Sequence, residues 1–217
     1  MDDDPPTRRG VWETYDRIGS HFAATRAHPW PAVERFVERA TPTTDATWGL
    51  DIGCGNARHA ALLAGRVERV VGIDASRTVL DAARERAREA DHGIALCRAD
   101  ATHLPLAADS VALGVYIATI HHLPGRTDRI ASLDELARVL TPDGRALVSA
   151  WSTTHENFDR TTGFDTTVDW TLPDGETVPR YYHIYAPAEF ERDLVASALE
   201  VERTFEEAGN CYAVVYS

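Results

Sequence analysis

The sequence contains no lysine. All 22 basic residues of the 217-residue chain are arginine, against 34 aspartate and glutamate residues, and the formal net charge is −12 at pH 7. Proteins that work in concentrated salt use excess surface carboxylate to stay soluble, and arginine holds paired contacts better than the strongly hydrated lysine. We therefore expect a halophilic protein. The alternative is an acidic mesophilic protein from a GC-rich genome, which also depletes lysine.

Long apolar runs and clustered cysteines are absent as well. No stretch approaches the length of a membrane span, although 44% of the residues are hydrophobic. Cys54, Cys97 and Cys211 lie far apart and are odd in number, which suits a reducing cytoplasm and offers no zinc site. The start of the chain is acidic and has no basic or apolar stretch of a signal peptide, so we expect none.

The most informative stretch is a glycine motif. An apolar strand from Trp48 runs into Asp51-Ile-Gly53-Cys-Gly55-Asn56, and a helical pattern follows at once. Two glycines let the backbone turn tightly and present N–H groups to a ligand. The next strand ends in Asp74, 21 residues after Gly53. Nucleotide-binding α/β folds place a ribose-binding carboxylate about 20 residues after the glycines, so strand, turn, helix and acid together predict a nucleoside site.

Charge indicates which nucleotide fits. The third glycine of a dinucleotide motif is replaced by Arg58, and Asp51, Asp74 and Asp100 all fall at the ends of predicted strands. These carboxylates would repel a pyrophosphate and favour a ligand with a sulfonium and an ammonium group. We interpret the site as one for S-adenosylmethionine. The alternative is that these acids only cap helices and turns.

The remaining pattern predicts an α/β fold. Residues 1–44 contain an amphipathic helix through Val11 and Ile18 and a second helix from Pro31, and we expect them to form a lid. Residues 45–217 alternate strands and helices, which predicts a Rossmann-like parallel sheet covered on both faces. Two final strands predict an antiparallel hairpin, which makes seven strands in all. Residues 152–179 are rich in Thr, Asp, Gly and Pro and are expected to be an insertion or mobile loop.

Four stretches together resemble a known family. They are Tyr15 to Arg26 with the following His-Pro-Trp-Pro, the glycine motif, Ile117-Ala-Thr-Ile-His-His122 followed by Trp151, and Arg180-Tyr-Tyr-His-Ile-Tyr185. The core is similar to class I S-adenosylmethionine-dependent methyltransferases. The His-His, Trp and Arg-Tyr-Tyr-His pieces are similar to the tRNA wobble-uridine carboxymethyl methyltransferases. This sequence departs from the family in the short acidic segment before Arg180 and in its lack of lysine.

The resemblance implies roles for individual residues. The cofactor would be held by Tyr15, Asp51, Gly53, Gly55, Asn56, Asp74, Ala75, Asp100, Ala101 and Ile117. The acceptor pocket would be lined by Arg26, His122, Trp151, Arg180, Tyr181 and His183. The family also implies a small zinc-binding activator subunit, for which we expect the edge strand Ile94 to Cys97 as docking site, and tRNA as substrate.

Several alternatives stay open. His121 and His122 could be metal ligands, but no carboxylate or cysteine partners them and neighbours on an extended chain point in opposite directions. Arg180 could pair with a surface acid, and Trp151 or the tyrosines could belong to the core. A small-molecule methyltransferase would use the same cofactor site, and a non-catalytic binding partner could retain the fold. The intact glycine motif, Asp74 and Asp100 argue against a non-catalytic protein.

Overall fold

The computed structural model describes residues 6–40, 48–89 and 93–217. The acidic start of the chain lies outside these ranges. So do residues 41–45, whose polar sequence predicts a connector into the core domain, and the boundary between the two expected segments, 1–44 and 45–217. No helix in the described ranges is long and apolar enough to cross a membrane.

In the described residues the main sheet has seven strands, as the sequence predicts: six run in one direction, and one strand of the C-terminal hairpin runs antiparallel to both of its neighbours. Its order is β3-β2-β1-β4-β5-β9-β8. The strands are β1 (Trp48–Ile52), β2 (Arg69–Asp74), β3 (Ile94–Arg98), β4 (Val111–Ile117), β5 (Leu140–Trp151), β8 (Glu200–Glu207) and β9 (Asn210–Tyr216). The order places β3 at one edge, as expected, and the C-terminal hairpin β8–β9 at the other.

The described residues form six α-helices around the main sheet. They are α1 (Arg8–Ala24), α2 (Pro31–Arg39), α3 (Arg58–Leu63), α4 (Arg77–Glu89), α5 (Arg126–Val139) and α6 (Pro187–Val195). Pro31 occupies the first turn of α2, where its missing N–H costs nothing. Ser76 caps α4 as expected, because its Oγ accepts a hydrogen bond from the Val79 N–H at 3.3 Å.

The core lies on both faces of the sheet, in two apolar clusters. Leu50, Tyr116 and Leu136 belong to one cluster, and Leu113 and Val115 belong to the other. Neighbouring residues of β4 thus point to opposite faces, and all seven of its residues are buried. A strand that is buried on both faces is typical of the centre of a parallel sheet.

Two predicted boundaries are wrong. The residues expected as an insertion or mobile loop, 152–179, contain strand β6 (Phe164–Thr171), which pairs antiparallel with β7 (Thr177–Ile184) in a separate two-stranded sheet. The sequence Pro142-Asp143-Gly144 predicts a turn and a strand from Arg145 to Trp151, whereas strand β5 begins at Leu140 and includes those three residues. Gly144 permits this pairing, since a Cβ there would lie 2.8 Å from the Val111 carbonyl oxygen.

Helix α1 packs on the start of α4. Asp16 of α1 accepts hydrogen bonds from the Ser76 Oγ at 2.8 Å and from the Thr78 N–H at 3.3 Å. A Cβ on Gly19 would lie 3.0 Å from the Val79 nitrogen, so the two helices approach closely there. These contacts fix α1 across the carboxyl ends of the central strands, where the lid was expected.

Candidate functional site

A cavity of about 400 Å³ opens at the carboxyl ends of the central parallel strands, beneath α1. This is the end of a parallel α/β sheet at which ligands bind. All predicted site residues except Asp51, Tyr181 and His183 line it. The predicted residues in its lining are Tyr15, Arg26, Gly53, Gly55, Asn56, Asp74, Ala75, Asp100, Ala101, Ile117, His122, Trp151 and Arg180.

The glycine loop, residues 53–55 between β1 and α3, has backbone dihedral angles that only glycine tolerates well. Gly53 has φ of +67° and Gly55 has φ of +56°. A Cβ on Gly53 would lie 2.1 Å from the Thr119 Oγ1, whereas a Cβ on Gly55 would meet no atom within 4 Å. Gly53 is therefore required by close packing, and Gly55 leaves open space at the cavity.

Asp74 joins this loop to the end of β2. Its carboxylate accepts hydrogen bonds from the Gly55 N–H at 3.0 Å and from the Ser76 N–H at 2.9 Å. Burial raises the pKa of Asp74, and the backbone N–H donors partly oppose that shift. The side chain remains half-buried at the cavity wall, so its carboxylate can also accept hydrogen bonds from ribose hydroxyls.

Asp51 lies behind the cavity, not in its lining. Its Oδ2 accepts a hydrogen bond from the Ala60 N–H in the first turn of α3 at 2.9 Å, and the residue is almost fully buried. Burial raises the pKa of Asp51 to about 8. The position of Asp51 therefore agrees with the alternative that this acid caps a helix. A carboxylate at the start of a helix accepts a hydrogen bond from a backbone N–H that has no partner within the helix.

Asp100 lines the cavity beneath the first turn of α1. Its Oδ2 accepts a hydrogen bond from the Arg8 guanidinium at 2.6 Å, and its Oδ1 accepts one from the Thr102 N–H at 3.0 Å. Arg8 also pairs with Asp128 at 3.4 Å. This arginine therefore connects α1 to the cavity wall.

His122 and Tyr15 form a hydrogen-bonded pair whose proton positions follow from their partners. The His122 Nδ1 lies 3.0 Å from the Tyr181 carbonyl oxygen, which can only accept, so this nitrogen carries the proton. The Nε2 then accepts from the Tyr15 hydroxyl at 2.8 Å. Burial lowers the pKa of His122 to about 3 and raises that of Tyr15 well above its ordinary value. Both groups are neutral near pH 7.

His121 is a lining residue that sequence reasoning did not assign to the pocket. Its Nδ1 accepts a hydrogen bond from the Trp151 N–H at 2.9 Å, and burial lowers its pKa well below the ordinary value. The two histidines lie on a 3₁₀ turn, Ile120–His122, with their rings 4.4 Å apart, and not on the extended chain that was expected. Among the described residues, no group of three or more His, Cys, Asp or Glu side chains could hold a metal ion.

Arg180 is the most unusual lining residue. It is 6% exposed, and its guanidinium donates a hydrogen bond to the Tyr182 hydroxyl at 2.6 Å. Its Nε has no hydrogen-bond partner, and no ion pair formed by the described residues includes it. A buried charge without a counter-charge is costly. Arg180 thus brings a positive charge to the cavity lining that no acid among the described residues neutralises.

Two further arginines line the cavity. The Arg26 guanidinium lies over the Phe22 ring at 4.6 Å. Burial, and then the neighbouring Arg26, lower the pKa of Arg58 to about 10. Arg58, which stands in place of a third glycine, donates to the His28 carbonyl at 3.1 Å. Arg26 and Arg58 therefore add positive charge to the cavity lining.

Strand alternation separates the residues of the predicted Arg-Tyr-Tyr-His cluster. Arg180 and Tyr182 lie on the cavity face of β7, whereas Tyr181 and His183 lie on the other face, outside the lining. His183 there contacts Asp165 at 2.6 Å and Glu189 at 3.0 Å. Tyr182 is the tyrosine of this cluster that lines the cavity. Its spacing of two residues from Arg180 was the signal that could have identified it as a lining residue. The expected roles of Tyr181 and His183 in acceptor binding stay predictions.

The lining fits S-adenosylmethionine. Asp74 and Asp100 offer carboxylate oxygens to hydroxyl and amino groups, and the glycine loop offers open space beside its backbone. When bound, this cofactor supplies an electrophilic methyl group.

Comparisons with known proteins agree with this geometry. The methyltransferase domain family matches residues 50–148. A protein of Encephalitozoon cuniculi designated as a methyltransferase is 33% identical over 191 residues, covering 84% of each chain. The tRNA (carboxymethyluridine(34)-5-O)-methyltransferase of Schizosaccharomyces pombe is 28% identical over 213 residues, and the match covers 87% of each of the two chains. Mouse ALKBH8, which has the same designation, is 34% identical over 149 residues.

The mouse protein is much longer than this one. The match covers 69% of this chain but 21% of the mouse protein. This chain thus spans about a fifth of the length of the vertebrate relatives it matches.

Solved structures share the fold at low sequence identity. The methyltransferase CcbJ from Streptomyces caelestis superimposes with a TM-score of 0.71 at 19% identity, covering 95% of this chain and 97% of that one. The complex of DhpI with SAH gives 0.68 at 19%, covering 96% and 98%. The Haloferax volcanii complex of the Trm112 methyltransferase activator with a methyltransferase gives 0.68 at 15%, covering 95% and 96%. The chain therefore belongs to the S-adenosylmethionine-dependent methyltransferases, and its sequence is similar to those of the tRNA carboxymethyluridine(34) methyltransferases.

Proposed function

We propose that this methyltransferase esterifies the carboxyl group of a carboxymethyl substituent on the wobble uridine of tRNA. The observation that carries the proposal is Arg180, a buried guanidinium with no carboxylate partner among the described residues, in the same cavity as the glycine loop. Guanidinium binds a carboxylate in a two-pronged geometry. The designations of the S. pombe and mouse relatives supply the substrate class.

The charge states of the cavity suit a carboxylate acceptor. A carboxylate is ionised near neutral pH, so its oxygen can form the new O–CH₃ bond while the S–CH₃ bond breaks, and no proton has to be removed. His121 and His122 are held neutral by burial, and both have hydrogen-bond partners. The site therefore supplies alignment and an anion clamp and needs no general base.

The lining suggests how the acceptor is held. Arg180 and Arg26 would bind the carboxylate or a neighbouring phosphate. Trp151 and Tyr182 present aromatic rings 5.4 Å apart at the cavity, and aromatic side chains stack on splayed single-stranded bases. The Tyr15 hydroxyl oxygen, after donating to His122, can still accept a hydrogen bond.

The acidic surface does not exclude tRNA in concentrated salt. At about 1 M ionic strength the Debye length is roughly 3 Å, so repulsion between distant charges is screened. Binding would then depend on short-range stacking and arginine contacts in the cavity. The same net charge of −12 favours the second candidate, a small-molecule carboxylate acceptor, if the working salt concentration is low.

We further propose that an activator subunit adds a strand to the edge of β3. This strand is at the end of the sheet and its five residues are all at least partly exposed. The Haloferax volcanii structure of a methyltransferase with the Trm112 activator supports such a partner. Ala95→Asp on the exposed face of β3 should abolish co-purification with the activator, whereas Val195→Asp on α6 should not. Equal co-purification of both variants, or full activity of the isolated chain, would refute this partner site.

The activity test uses labelled cofactor and three acceptors. Label should enter tRNA that carries 5-carboxymethyluridine at the wobble position and should not enter the same tRNA with unmodified uridine. Free 5-carboxymethyluridine should be a poor acceptor. Transfer to the free nucleoside alone would favour the small-molecule enzyme, and transfer to neither tRNA would overturn the proposed substrate.

A further inference from the structure

Trp170 contacts two of the three arginines that line the cavity, Arg26 and Arg180. The Arg180 guanidinium carbon is 4.9 Å from the centre of the indole, and that of Arg26 is 5.7 Å from the same ring. Arg26 follows the end of α1 and Arg180 lies on β7, so residues distant in sequence meet at one side chain. Trp170 itself is not part of the cavity lining.

The β6–β7 sheet places the indole there. Val168 pairs with Arg180 in the antiparallel register, so Trp170 is the diagonal neighbour of Arg180 on the same face. The indole Nε1–H donates a hydrogen bond to the His21 Nδ1 of α1 at 3.1 Å. The ring also contacts the Phe22 ring, with centroids 5.4 Å apart. Trp170 is therefore held by the β6–β7 sheet, which carries Arg180, and by α1, which directly precedes Arg26.

The arginines beside it are charged and lack counter-ions. No ion pair among the described residues includes either guanidinium, and the buried Nε of Arg180 has no partner. Two like charges on one ring repel each other, and the negative face of the indole offsets only part of that repulsion. A bound anion would supply the counter-charge that both guanidinium groups lack.

We propose that Trp170 is a positioning residue that holds Arg26 and Arg180 as one anion clamp for the acceptor carboxylate. This inference rests on the proposed function for its substrate. Without the indole, both guanidinium groups would lose their common support and adopt other rotamers, and α1 would lose its hydrogen bond to β6. The loss would weaken acceptor binding and leave the cofactor side of the cavity unchanged.

The experiment compares Trp170→Ala and Trp170→Phe with Trp48→Ala. Trp48 is the matched control: it is 36% exposed at the start of β1, and its ring carries the Arg69 guanidinium at 5.5 Å. In methyl transfer to tRNA with 5-carboxymethyluridine, Trp170→Ala should raise KM about tenfold and change kcat less than about threefold. Trp170→Phe, which retains an aromatic face, should recover most of the loss. Cofactor affinity should be unchanged in all three variants.

A second measurement is independent of tRNA. Sodium acetate is titrated into the cofactor-bound protein, and the NMR signals of the Arg26 and Arg180 Nε–H groups are followed. Saturable shifts are expected in the natural chain, with about tenfold weaker acetate binding in Trp170→Ala. Unchanged KM and unchanged acetate affinity in Trp170→Ala would overturn the positioning role. Normal acetate results without any transfer to tRNA would overturn the substrate and leave the clamp in place.

Discussion

At the scale of the residue, this site depends on which groups are charged. Arg180 is buried and has no acid beside it among the described residues, whereas His59, His121 and His122 are buried and neutral. Because a charge without a partner is expensive inside a protein, the cavity is most stable when an anion binds to Arg180. The neutral histidines add no charge of their own to the cavity lining.

Replacing Arg180 should separate acceptor binding from cofactor binding. Arg180→Ala should lower kcat/KM for methyl transfer about ten- to a hundredfold, the range expected for a charged hydrogen bond. Arg180→Lys should recover little, because an ammonium group cannot copy the two-pronged contact. Steady-state kinetics and calorimetry with the cofactor would measure both effects. Arg203→Ala is the control, since Arg203 is exposed and stacks on Phe205 at 5.1 Å. Weakened cofactor binding in Arg180→Ala would contradict the assignment.

His59 should make stability depend on pH. Burial lowers its pKa to about 3, below the ordinary value of 6.5. Between these values the unfolded chain binds a proton that the folded chain does not, so stability is lost as the pH falls, by about 1.4 kcal/mol per pH unit. Denaturant unfolding should show that the stability of the natural chain relative to His59→Gln decreases by roughly 2 kcal/mol between pH 7 and pH 5. A pH-independent difference would mean that folding does not shift the pKa of His59.

Sequence reasoning at this scale identified Arg180 but not Trp170. The resemblance marked Arg180 directly. Trp170 could not be found, because its contact with Arg180 is a diagonal pair that exists only in the β6–β7 register. Tyr181 and His183 were expected in the pocket because the strand was not yet assigned, and alternation along β7 places Tyr182 there.

At the scale of the element, two short segments determine the site. The glycine loop between β1 and α3 forms one wall, and the β6–β7 sheet carries the arginine of the opposite wall. The loop was predictable, since strand, glycines and acid follow each other at fixed spacing. The β6–β7 sheet was missed because its composition resembles a loop. Its alternation of Phe164, Thr166, Val168 and Trp170 with polar neighbours was the signal for a strand.

The glycine loop allows a matched pair of substitutions. Gly53→Ala and Gly55→Ala both place a Cβ at positive φ, which costs about 1–2 kcal/mol. Only at Gly53 would the new Cβ also collide with Thr119, 2.1 Å away. Thermal unfolding should therefore show a modest loss for Gly55→Ala and a much larger one for Gly53→Ala. Equal losses would show that steric contact with Thr119 does not constrain the loop.

At the scale of the whole molecule, negative charge dominates. With 34 acidic residues against 22 arginines, the folded chain repels itself at low ionic strength. Composition alone made this feature visible. It could not show that Arg26 and Arg180 meet in one cavity, because that depends on which segments the fold brings together. We interpret the surface as an adaptation to concentrated salt.

This interpretation predicts stabilisation by salt. Raising KCl from about 0.1 M to about 2 M should screen the repulsion. The midpoint of thermal unfolding should then rise by roughly 5–10 °C, equivalent to a few kcal/mol for a chain of this size. A non-ionic osmolyte at equal water activity serves as the control. A midpoint that does not change with KCl would favour the acidic mesophilic protein.

The central claim is that the methyl group is transferred to a carboxylate oxygen. It is tested most directly by the chemical stability of the product after transfer of labelled methyl to tRNA carrying 5-carboxymethyluridine. Mild alkali should release the label as methanol, because an ester hydrolyses under conditions that leave N-methyl and C-methyl groups intact. Label that stays on the tRNA after alkali would contradict the account.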